Sequence, residues 1–80
     1  MNVTTHILQC LENVAPSAVS AHVLLAEVRI TRGGCGEGEF AAAVRACEDA
    51  GMIVRGEDPL TRDLYWSITP AGTQRLREGG

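Results

Sequence analysis

Lysine is absent from this chain: all seven of its basic side chains are arginines, and they stand against ten carboxylates for a net charge of −3. That balance lacks the bulk signature of a polyanion-binding protein, so any grip on phosphate must come from where individual arginines stand. Paired cysteines are missing too. Cys10, Cys35 and Cys47 are odd in number and share no Cys-x-x-Cys spacing, which argues against a disulfide framework and a zinc knuckle and fits a reducing compartment. No basic residue precedes Arg29, and no apolar run approaches the length of a membrane span. Neither a signal peptide nor a membrane partner is expected, and the sequence reads as cytoplasmic.

Catalytic groupings are lacking as well. No Ser/His/acid or Cys/His set has supporting spacing, and so small a core leaves little room for a buried pocket, so an enzyme is not expected. The run Gly33-Gly34-Cys35-Gly36-Glu37-Gly38 looks like a phosphate cradle, but it follows a helix rather than a strand and lacks the Lys-Ser/Thr of a P-loop. It reads as a flexible turn. His6 and Cys10 lie four apart on one helix, yet only His22 and Cys35 remain as further ligands, with no local pairing; neither a metal site nor a cofactor is expected.

What is present is one small globular domain over residues 1–80, 45% apolar. Folding at this length buries only about two-thirds of the surface that the unfolded chain exposes, so stability should be modest and a homodimer is one way to add burial.

Val3, Ile7, Leu8, Leu11 and Val14 follow helical spacing and predict a helix over 3–14, with Asn2 or Thr4 as N-cap and Pro16 as its end. Ser17 or Ser20 caps a second helix with an apolar stripe of Ala21, Leu24, Leu25 and Val28, running to about Ile30. Thr31 to Gly36 reads as a turn. Phe40, Ala43, Val44, Cys47 and Ala50 define a third helix, which Gly51 stops. Met52–Arg55 and Leu64–Thr69 read as two strands around a Gly56–Asp63 loop, with Leu64, Trp66 and Ile68 on one face of the second strand. Thr69-Pro70 begins a closing helix to about Arg77, docked through Leu76. The expected core is Ile7, Leu11, Leu24, Val28, Phe40, Val44, Ile53 and Ile68, with Cys10 and Cys47 as small core residues and Cys35 as the exposed thiol.

Two segments carry a resemblance. Glu48-Asp49-Ala50-Gly51-Met52-Ile53 resembles the end of the third helix of winged-helix regulators. Trp66-Ser67-Ile68-Thr69-Pro70-Ala71-Gly72 resembles the second wing strand and exit of MarR-like and PadR-like families. Their order and separation span nearly the whole chain. The resemblance implies an α+β winged helix-turn-helix: three helices, a two-stranded β-hairpin wing and a short C-terminal helix. It also implies a DNA-binding or DNA-associated regulator whose third helix faces the major groove through Glu37, Gly38, Glu39, Ala41, Ala42 and Arg45.

Arg29, Arg32, Arg45, Arg55 and Arg62 are then the candidates for holding duplex DNA. The bland alternative is that they solubilise the surface and pair with acids, Arg62 with Asp63 or Asp58. Glu37 and Glu39 suit the positive end of a helix dipole, but would repel phosphates if they faced DNA. They therefore support a second reading: a protein-interaction module that docks a partner through the acidic third helix or the exposed face of the wing, with Glu37, Glu39 and Tyr65 as the candidate contacts.

Overall fold

The apolar stripes of the three helices converge on one core. A computed structural model describes residues 3–79. Its elements are α1 (Val3–Val14), β1 (Val19–Ser20), α2 (Ala21–Arg32), α3 (Glu37–Asp49), β2 (Ile53–Glu57), β3 (Leu64–Ile68) and α4 (Pro70–Gly79). α1 buries Val3, Ile7, Leu8 and Leu11 and packs against α2, α3, α4 and β3. Leu24 and Val28 of α2 and Phe40, Val44 and Cys47 of α3 meet it from the other side.

Seven of the eight expected core residues are buried. Ile68 is half-buried instead, and Trp66 on the same strand face takes the deeper position, with Val3 and Leu8 as further core members. Cys47 is buried as expected. Cys10, expected in the core, and Cys35, expected exposed, are both half-buried, because Cys10 sits at the rim of α1 and the glycine turn folds Cys35 back against the core.

The caps explain the helix bounds. Thr4 lies within α1 and is not its cap, and Asn2 is outside the described residues. Ser20, extended at φ −66°, accepts the Val23 N–H on its hydroxyl at 3.4 Å and starts α2. α2 runs two residues beyond Ile30, into the segment expected to turn. Thr31 remains within the helix, its hydroxyl donating back to the Glu27 carbonyl at 3.0 Å, and Gly33, at φ 84°, is the first residue in the left-handed region and ends it.

β1, β3 and β2 form an antiparallel sheet in that order. β2 and β3 are the expected hairpin, with Ile53 opposite Ile68 and Glu57 opposite Leu64. β1 adds a third strand that the sequence reading did not anticipate: Val19 pairs with Trp66 and Ser20 with Tyr65. Thr69 joins the sheet to α4. Its hydroxyl donates to the Gly51 carbonyl at 2.7 Å and accepts the Gly72 N–H at 3.1 Å, while its own N–H donates to Met52 at 3.0 Å. α4 is held to the core by half-buried Leu76, and to α1 by the Thr73 hydroxyl, which donates to Glu12 at 2.8 Å. No helix among the described residues is long and apolar enough to cross a membrane.

Candidate nucleic-acid interface

α2, the glycine turn and α3 make a helix-turn-helix whose bend is clamped by the two arginines ending α2. Arg29 donates from Nε to the Cys35 carbonyl at 3.0 Å. Arg32 donates from Nη1 to the Gly34 carbonyl and to Glu39 Oε1, both at 3.0 Å. Gly34, at φ 137°, completes the reversal. These two candidate phosphate contacts therefore already have structural partners. Glu39 is half of an ion pair as well as a first-turn acid beside the free amides of α3.

The wing arginines are also engaged. Arg55, on β2, lies 3.6 Å from Glu48 of α3, and its guanidinium sits 6.0 Å from the centre of the Trp66 ring. Arg62 pairs with Glu57 at 3.3 Å, not with Asp58 or Asp63. The reason lies in the loop. Asp58 turns its Oδ1 inward to accept the N–H groups of Leu60 (2.8 Å) and Thr61 (3.2 Å), and Arg62 adopts φ 65° with its N–H on the Asp58 carbonyl. That geometry holds Leu60 at the wing tip, 91% exposed.

Arg45 differs from the other four. It is exposed on α3 and belongs to no ion pair among the described residues. Gly38, Ala41 and Ala42 are exposed beside it, so the middle of the outward side of α3 is a smooth strip leading to one long cation, with exposed Asp49 one turn beyond it. Between this helix and the wing runs an open groove of about 510 Å³, with Phe40, Val44 and Trp66 along its floor and Arg45, Glu48 and Arg55 among its walls. Glu37 is exposed at the start of α3. Tyr65 is half-buried on β3 and lines a separate groove with Val19, His22 and Arg62; Glu37 and Glu39 line neither of these two grooves.

Among the described residues, no three His, Cys, Asp or Glu side chains cluster as metal ligands. His6 Nδ1 lies 3.3 Å from the Thr31 hydroxyl. Burial pushes the Cys10 and Cys47 thiols above their ordinary pKa, and the Glu27 carboxylate adds to the effect at Cys10. The sequence reading missed Glu48 and Glu57 as partners of the wing arginines. Glu57 and Arg62 bracket the loop, which was the available signal; Glu48 and Arg55 meet only through the turn from α3 into β2.

The chain matches no known sequence family and no curated protein sequence. Solved structures do resemble it. A transcriptional regulator from Clostridium thermocellum is 24% identical with a TM-score of 0.83, over 96% of this chain and 75% of that one. A MarR-family transcriptional regulator from Silicibacter pomeroyi is 17% identical with a TM-score of 0.77, over 95% of this chain and 47% of that one. A point mutant of MepR from a multidrug-resistant S. aureus clinical isolate is 18% identical with a TM-score of 0.71, over 98% of this chain and 53% of that one. The chain thus spans about half the length of the latter two proteins. With α2 and α3 flanking a clamped turn and β2–β3 projecting beside α3, the chain has the winged helix-turn-helix fold of these structures.

Proposed function

We propose that the chain is a non-enzymatic, cytoplasmic transcriptional regulator that binds duplex DNA. The observation that carries this reading is the exposed strip of small residues on α3 leading to Arg45, which has no ion-pair partner among the described residues, beside the wing of a fold whose solved neighbours are transcriptional regulators. In this reading Arg45 faces the groove, Arg55 and Arg62 reach phosphates from the wing, and Arg29 and Arg32 contribute at the turn. Glu39, Glu48 and Glu57 already hold three of these arginines, so phosphate has to displace carboxylate. Affinity from one copy is accordingly weak, and a homodimer supplies the second set of contacts.

Titration of a fluorescent random-sequence duplex over a range of salt tests this. Phosphate binding gives a steep fall of log affinity with log salt, and Arg55→Ala with Arg62→Ala should flatten that slope by about two contacts. Glu37→Gln with Glu39→Gln should strengthen binding. Absence of any salt-sensitive affinity, in the native protein and in the Gln variant alike, would falsify groove binding by α3.

A second reading rests on the net charge of −3 and the two acids opening α3: a protein partner with a basic patch docks on Glu37, Glu39 and Tyr65. The same Gln variant would then slow that partner's association rather than strengthen DNA binding.

A further inference from the structure

We infer that Arg45 reads a guanine in the major groove, and that the target site places thymine within about two base pairs of it. This rests on the proposed function and specifies its ligand. Of the five candidate arginines, four have partners within the protein: Arg29 and Arg32 on turn carbonyls, Arg32 also on Glu39, and Arg55 and Arg62 in solvent-exposed ion pairs with Glu48 and Glu57. Arg45 alone among them belongs to no such contact in the described residues. It also stands on the helix rather than at the wing. A helix laid in the groove points the centre of its outer face at the base edges and its flanks at the phosphate walls.

The neighbours of Arg45 sharpen the assignment. Gly38, Ala41 and Ala42 precede it on the exposed side, so the middle of that face carries nothing longer than a methyl group and can approach the bases closely, with the exposed carboxylates of Glu37 and Asp49 one turn beyond it at either end. A planar guanidinium presents two parallel N–H donors. Only guanine offers two adjacent acceptors, N7 and O6, on its major-groove edge; adenine pairs an acceptor with a donor, and cytosine presents a donor. The alanine methyl groups have one apolar counterpart in that groove, the thymine methyl. Ala41 and Ala42 precede Arg45 by three or four residues, about 4.5 to 6 Å along a helix axis. At about 3.4 Å per base step, that separation puts the thymine within about two base pairs of the guanine.

The test is selection of tight-binding duplexes from a randomised library by the native protein, Arg45→Ala and Arg45→Lys, each first shown by circular dichroism to melt like the native chain. The native protein should enrich a guanine at a fixed position with a thymine within about two base pairs. Arg45→Ala should lose the guanine preference and bind the enriched sequence roughly 5- to 150-fold more weakly, with other preferences kept. Arg45→Lys should keep charge but lose much of the discrimination, since an ammonium lacks the fork.

A guanine retained by Arg45→Ala, or enrichment by the native protein with no fixed guanine, overturns the inference and leaves DNA binding standing. So does an equal loss for every sequence with the salt slope reduced by about one, which marks a phosphate contact. Failure of the native protein to bind any duplex overturns the inference together with the reading beneath it.

Discussion

α1 and the β2–β3 hairpin are opposites within one small chain. α1 buries four residues and touches three other helices and a strand, and its Ile7 and Leu11 are fully enclosed. In β2 only Ile53 is buried, and the loop that follows carries at its tip a leucine almost wholly in water. α1 owes its position to apolar contact. The hairpin loop owes its form to local hydrogen bonds around Asp58 and to the left-handed backbone at Arg62. Shape and contact surface are therefore set by different interactions, and substitutions should separate them.

The largest effect is expected in the core. Phe40→Ala removes a buried ring from α3 and should cost about 3 to 5 kcal/mol, a large share of the stability of so small a domain. Thermal melting checks it, and a shift of only a few degrees would mean that α3 is not anchored through this side chain.

Gly72→Ala comes next. A methyl group there meets the Met52 carbonyl and the Ile68 side chain, so backbone has to move; about 1 to 3 kcal/mol of destabilisation is expected in denaturant titration. An unchanged midpoint would show that α4 sits less tightly on the sheet than the geometry indicates.

A smaller effect is expected at alkaline pH. Burial raises the Cys47 thiol above its ordinary value of 9.0, so the folded state keeps a proton that the unfolded chain releases. Stability from this source is intact below about pH 9 and is lost as pH rises through the higher folded value. Melting temperatures from pH 7 upward should decline less steeply in Cys47→Ala than in the native chain. Parallel curves would assign the decline to other groups.

The smallest effect belongs to the wing tip. Leu60→Ser should change stability by less than about 0.5 kcal/mol, since the side chain has almost nothing to lose. A larger loss would erase the contrast between the two regions.

The same contrast governs what could be read without coordinates. The stripes Ile7–Leu11, Leu24–Val28 and Phe40–Val44–Cys47 repeat at helical spacing, so three helices and most of the core follow from periodicity. β1 is two residues long, too short for alternation to register, and only its pairing with Trp66 and Tyr65 reveals it. Trp66 and Ile68 share a strand face, and periodicity alone did not tell which of them goes deeper. The arginines of the candidate site were legible as positions but not as states. Whether Arg55 is free depends on Glu48, which the turn from α3 into β2 brings alongside it. Arg45 was one of five equivalent candidates until the other four were seen to be occupied.

Thr69 carries a mechanical consequence. One side chain and its amide tie the residues leaving α3, at Gly51 and Met52, to the first turn of α4, while Thr73 in the next turn is tethered to Glu12 of α1. The closing helix and the exit of α3 thus share a fulcrum. A load that tilts α4 is felt at the C-terminal end of α3 before it reaches the wing tip, which hangs from the far end of the hairpin.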